Sequence, residues 1–132
     1  MKLSTKARYG LKLMCYLAKE EGKGPISLST IATQIDSSDK YTEQILLALR
    51  KADLVKATRG ANGGYFVENA KDISVGSILR TLEDDLVIVN CVGDNNSCPK
   101  IANCQTHVVW ENLYKQMNSL LDSMSLESII RK

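Results

Sequence analysis

Three amphipathic helical stretches, then two short alternating stretches around a glycine-rich loop, predict a mainly α fold. That order is the order of a winged helix-turn-helix domain with a two-stranded wing. A long apolar periodicity near the C-terminus adds a dimerisation helix.

Residues 4–21 carry the first helix, with Ala7, Leu11, Met14, Cys15 and Ala18 on one face. Gly22-Lys23-Gly24-Pro25 ends it. Ser27 is placed to cap a short second helix, in which Leu28, Ile31, Ala32 and Ile35 follow i, i+3, i+4, i+7. The polar turn Asp36-Ser37-Ser38-Asp39 leads into a third helix, residues 39–53. Its inward stripe is Tyr41, Ile45, Ala48, Leu49 and Ala52. After Asp53 the period falls to two, and residues 54–58 and 65–68 read as strands. Ser74 is placed to cap a fourth helix with Val75, Ile78, Leu79 and Leu82 inward. Residues 90–106 have no periodicity and hold three cysteines, and they read as a functional loop. The long stripe over 107–124 is Val109, Leu113, Met117, Leu120 and Met124, widened by Trp110 and Leu121. Thr106 is placed to cap that helix. Ser125 is placed to cap a last short one bearing Leu126, Ile129 and Ile130. The expected organisation is a DNA-binding domain over 1–85, a cofactor loop over 86–106, and dimerisation and short terminal helices over 107–132.

Composition narrows the function classes. The 132 residues are 44% hydrophobic and 24% charged, which excludes a disordered or fibrous chain. A core of this size needs no disulfide staples. The longest apolar β-branched run, Leu86-Val87-Ile88-Val89, is too short to span a membrane, and Lys12 interrupts any signal core. The expectation is a cytoplasmic protein with no membrane partner. Its four cysteines should then be metal-binding, redox-active or buried. One histidine and no paired carboxylates argue against an enzyme. Net charge is +2, but residues 1–80 hold 13 Lys/Arg against 8 Asp/Glu, and residues 81–132 hold 4 against 7. A front half at +5 and a back half at −3 suit an anionic partner at the front.

The third helix and the wing are the parts that would meet double-stranded DNA. Lys40, Glu43, Leu47 and Arg50 lie opposite the buried stripe, where a recognition helix faces base edges and phosphates. Glu43 is suited to specificity, because it accepts from a cytosine amino group but is repelled by phosphates. Arg59 stands at the base of the loop Arg59-Gly60-Ala61-Asn62-Gly63-Gly64, whose small residues permit close approach to a minor groove. No Gly-Lys-Ser/Thr follows, so the loop is not a nucleotide P-loop. The candidate contact set is Lys40, Tyr41, Glu43, Gln44 and Arg50 on the helix, with Arg59, Gly60, Asn62 and Gly63 in the wing.

A second constellation is Cys91-x6-Cys98-x5-Cys104-x2-His107, three soft ligands and one borderline ligand. The gaps are long for a zinc knuckle and suit a bulkier iron–sulphur cluster on a wrapping loop. The helix N-terminus at His107 disfavours imidazolium and would steady an anionic cluster. Zinc holding the fold, or a metal-free thiol switch, are the alternatives. Cys15, on an apolar stripe, reads as a small buried hydrophobe.

Four stretches together resemble the IscR-type (Rrf-two) family of bacterial winged-helix regulators. They are Lys2-Leu3-Ser4-Thr5-Lys6-Ala7-Arg8-Tyr9-Gly10, Tyr41-Thr42-Glu43-Gln44, the wing Arg59 to Tyr65, and the Cys/His loop. The resemblance covers about residues 1–130 and implies a homodimeric repressor acting at a DNA operator. It implies a 2Fe–2S cluster on Cys91, Cys98, Cys104 and His107, with target genes following cluster supply. A nitric oxide-sensing branch uses an N-terminal acidic ligand, and Lys6-Ala7-Arg8-Tyr9 offers none. A branch that answers to sulphur metabolism lacks the thiols. The chain departs from the family pattern in the six-residue gap after Cys91, in Thr42 where an apolar residue is usual, and in Asp36-Ser37.

Overall fold

The computed structural model describes residues 2–83, 86, 87, 89, 91, 92 and 103–131. Six α-helices and one hairpin are among them. These are α1 (Thr5–Lys19), α2 (Leu28–Ile35), α3 (Asp39–Lys51), β1 (Lys56–Thr58), β2 (Gly64–Phe66), α4 (Val75–Leu82), α5 (His107–Ser123) and α6 (Leu126–Ile130), with a 3-10 turn at Ala70–Asp72.

Serine starts five of the helices. Ser4, Ser27, Ser38, Ser74 and Ser125 each accept the backbone N–H three residues on, at Ala7, Thr30, Tyr41, Ser77 and Ser128. Each such cap contributes about 1 kcal/mol by satisfying a donor that the helix cannot. The start of α5 differs from expectation. Thr106 is itself in a helical conformation and makes no side-chain cap bond. Its hydroxyl lies 3.3 Å from Cys104 Sγ instead.

The core is wider than one stripe per helix. On α1 the buried residues are Ala7, Gly10, Leu13, Met14, Leu17 and Ala18, whereas Leu11 and Cys15 are half-buried. α1 packs against α2, α3, α4 and α6, so neighbours on several sides bury residues that a single-face reading leaves out. On α3, Thr42 and Leu46 join Ile45 and Leu49 inside, Tyr41 and Ala48 are half-buried, and Ala52 is exposed beyond the last turn.

The wing is short and antiparallel, pairing Lys56 with Phe66, Ala57 with Tyr65 and Thr58 with Gly64. Ile26, just before α2, adds a further bridge on the other side of β2. Its N–H donates to the Tyr65 carbonyl at 2.9 Å, and the Tyr65 N–H returns to the Ile26 carbonyl at 2.8 Å. A Cβ at position 64 would collide with the Ile26 backbone, so this approach requires glycine.

α4 buries Val75, Ile78, Leu79 and Leu82 as its periodicity predicts. The predicted stripe of α5 splits in two. Met117, Leu121 and Met124 pack on the core, while Val109, Leu113 and Leu120 are 53%, 47% and 61% exposed. No residue of α5 is fully buried. Its C-terminal end is fastened by main chain: the Val75 N–H donates to the Met124 carbonyl at 2.8 Å, and the Leu126 N–H to Ile73 at 2.7 Å. No helix among the described residues is long and apolar enough to cross a membrane. Much of the expected loop over 90–106, with Cys98, lies outside the described residues.

Candidate functional site

The helix-turn-helix is set by short polar contacts. Asp36 ends α2 in the left-handed conformation at φ 58°, and Ser38 caps α3 two residues later. Lys12 Nζ donates to the Ile35 carbonyl at 3.4 Å, so α1 covers the C-terminus of α2. Ser29 Oγ donates to Asp39 Oδ2 at 3.3 Å and ties α2 to the start of α3. With Ile45, Leu46 and Leu49 seated in the core, the opposite face of α3 exposes Lys40, Glu43, Gln44, Leu47 and Arg50. That face offers cations for phosphates, an amide and a carboxylate for base edges, and a leucine for a thymine methyl. Tyr41 is turned away from it. Its ring meets Tyr9 edge to face, with centroids 6.1 Å apart.

In the wing, Arg59, Gly60 and Asn62 are exposed and Gly63 is half-buried. The Gly63 N–H closes the turn on the Gly60 carbonyl at 3.0 Å. Gly60 has φ 106°, which a residue with a side chain rarely adopts. The wing tip therefore presents one guanidinium, one amide and little bulk. Sequence reading missed the Ile26–Tyr65 rung that anchors this wing to the helix-turn-helix, because an isolated bridge has no alternation to reveal it.

The thiol constellation is partly described. Cys91 is 9% exposed and Cys104 is exposed. The Thr106 hydroxyl beside Cys104 lowers the thiol's pKa, helped by the Thr106 and His107 backbone N–H groups that start α5. The His107 Nε2 lies 3.3 Å from Glu111 Oε2, one helical turn on. Glu111 Oε1 also takes Lys115 Nζ at 3.0 Å, and this contact, ahead of His107, holds its carboxyl below the usual range. The other imidazole nitrogen, Nδ1, is buried and has no hydrogen-bond partner among the described residues. Glu111 was not singled out from sequence, although its i, i+4 spacing from His107 was available. Among the described residues no three His, Cys, Asp or Glu converge as a metal cage. Cys98 lies outside those residues. The donors that are described nonetheless fit a soft metal: a thiol whose pKa is lowered, and an imidazole nitrogen without a partner among the described residues.

α5 is joined to α4 by a polar clasp. The Arg80 guanidinium donates to Asn118 Oδ1 from Nε at 3.2 Å and from Nη2 at 2.9 Å, and Nη2 also reaches Asp122 Oδ1 at 2.8 Å.

Residues 3–132 match the family model of Rrf2, described as an iron-dependent transcriptional regulator. The chain belongs to the Rrf2 family. It is 39% identical over 130 residues to the HTH-type transcriptional regulator CymR of Bacillus subtilis, covering 98% of this chain and 89% of that protein. Among solved structures it is similar to T. potens IscR, with TM-score 0.79 and 39% identity over 99% of this chain and 87% of that one. It is also similar to the oxidised form of Staphylococcus aureus CymR, with TM-score 0.76 and 38% identity over 100% and 98% of the two chains. These Rrf2 relatives are transcriptional regulators and not enzymes, which implies that this chain binds DNA. The expected winged-helix architecture is the one these structures share.

Proposed function

We propose that the chain is a homodimeric repressor whose binding to a DNA operator follows the occupancy of a 2Fe–2S cluster. Cys91, Cys98, Cys104 and His107 are the residues that would hold it. When bound, the cluster supplies a removable cross-link between the loop of residues 86–106 and the start of α5. The observation that carries this reading is the orphaned His107 Nδ1, three residues from a thiol whose surroundings favour thiolate. An imidazole nitrogen without a partner among the described residues can take a metal when it carries no proton.

The chain's own residues supply the rest. Residues 1–85 form the DNA-binding unit, with Lys40, Glu43, Gln44 and Arg50 on α3 and Arg59, Gly60, Asn62 and Gly63 in the wing as its contacts. Tyr41 supports α3 through Tyr9 and is a contact only through its hydroxyl. Residues 107–132 pair two chains through the exposed Val109, Leu113 and Leu120, matching a two-fold operator. As a regulator of transcription the dimer works in the cytoplasm, away from membranes.

A thiol-redox reading has its own support, since Cys104 is exposed with its pKa lowered, and the Staphylococcus aureus relative was solved in an oxidised form. Metal analysis of protein purified without oxygen separates the readings. Iron with acid-labile sulphide, and loss of visible colour in Cys98→Ala, are expected. Zinc would make the site structural, and absence of both metals would favour the thiol switch. Full iron and colour in Cys98→Ala would remove Cys98 as a ligand.

A further inference from the structure

The contacts around His107 carry an assignment beyond the ligand set. A carboxylate only accepts, so the 3.3 Å contact from Nε2 to Glu111 Oε2 is a hydrogen bond when Nε2 bears the proton. Glu111 is held in place from its far side by Lys115, through Oε1. A neutral imidazole has one N–H. Were that proton on Nδ1, a buried donor would be unsatisfied and the Nε2 lone pair would face a carboxylate. Both terms select the same tautomer. We propose that Glu111 is the positioning residue of the metal site: it fixes His107 with its proton on Nε2 and so presents Nδ1 to the metal. The assignment rests on the cluster reading above. A metal-bound histidine commonly gives its second N–H to a carboxylate, and losing that partner weakens metal binding about 10–100-fold.

His107 is the chain's single histidine, so isotope-labelled, metal-free full-length protein gives one unambiguous imidazole signal pair by nitrogen NMR. At a pH where imidazole is neutral, the unaltered chain should show the Nε2–H tautomer. Glu111→Ala should show a mixture, and Glu111→Gln, whose amide oxygen still accepts, should restore it. The same three proteins are then loaded with ferrous iron and sulphide under argon and challenged with a chelator. Glu111→Ala should release iron about 10–100-fold more readily, and Glu111→Gln should stay close to the unaltered chain. An Nδ1–H tautomer in the unaltered chain overturns the proposal. If the unaltered chain holds iron and sulphide but Glu111→Ala matches it in both measurements, only the Glu111 assignment falls. If the unaltered chain takes up neither, the cluster reading falls and the assignment with it.

Discussion

Thr42 shows how one side chain can sit against its surroundings. It is fully buried on the core face of α3, and its Oγ1 has no hydrogen-bond partner among the described residues. A buried hydroxyl without a partner costs about 1–3 kcal/mol. Thr42→Val keeps the shape and removes the unsatisfied group, so it should raise unfolding stability by about 1 kcal/mol, read as a higher urea midpoint at unchanged slope. DNA binding should not change, because Thr42 faces inward. Arg59 is the opposite case, an exposed cation on a loop of small residues. Arg59→Ala should weaken specific DNA binding about 10- to 100-fold while leaving the unfolding midpoint unmoved. Equal binding at several salt concentrations would take Arg59 off the contact face.

Among the elements, α5 is the one whose surroundings are incomplete. Its C-terminal half is seated by Met117, Leu121 and Met124, yet Val109, Leu113 and Leu120 face out. Large apolar side chains exposed at helical spacing are the surface through which the proposed dimer would pair. If the proposed dimer pairs there, Leu113→Glu combined with Leu120→Glu should sediment as a monomer where the unaltered chain sediments as a dimer. Helical content should hold, because neither residue contributes to the core. A dimer that survives both charges would place the pairing surface elsewhere. The start of α5 is specialised in another way. The usual serine cap is absent there, and the hydroxyl that should have supplied it turns to Cys104. This helix start sets the Thr106 hydroxyl and the Thr106 and His107 N–H groups beside the Cys104 thiol, which lowers its pKa.

At the scale of the whole molecule, the proposed sensing requires a route from residue 107 to α3. The path visible in the contacts runs down α5 to the Arg80 clasp with Asn118 and Asp122, then through α4, which packs on both α1 and α3. Arg80 and Asp122 are each substantially exposed, so the pair adds little stability. What it supplies is a polar tie between α4 and α5. Arg80→Met should therefore cost less than about 1 kcal/mol in unfolding yet reduce the ratio of DNA affinities between metal-loaded and metal-free protein. That ratio corresponds to a coupling of about 1–3 kcal/mol in typical regulators. An unchanged ratio would send the coupling through another contact.

Much of this was legible in the residues. The serine caps, the i, i+3, i+4, i+7 runs of α2 and α4, and the glycine-rich wing are local signals, because caps, periods and turns depend on neighbours a few positions away. The order of helices and hairpin followed from them, as did the solvent face of α3. What the tertiary structure decided was everything that depends on distant partners. It turned Tyr41 onto Tyr9, buried Thr42, drew Ile26 alongside Tyr65, divided the α5 stripe between core and solvent, and set Glu111 on His107 Nε2 with Nδ1 left bare. A period states which side chains share a face. It does not state how many neighbours crowd that face or which atom of a ring is left without a partner, because those follow from packing between segments far apart in the chain.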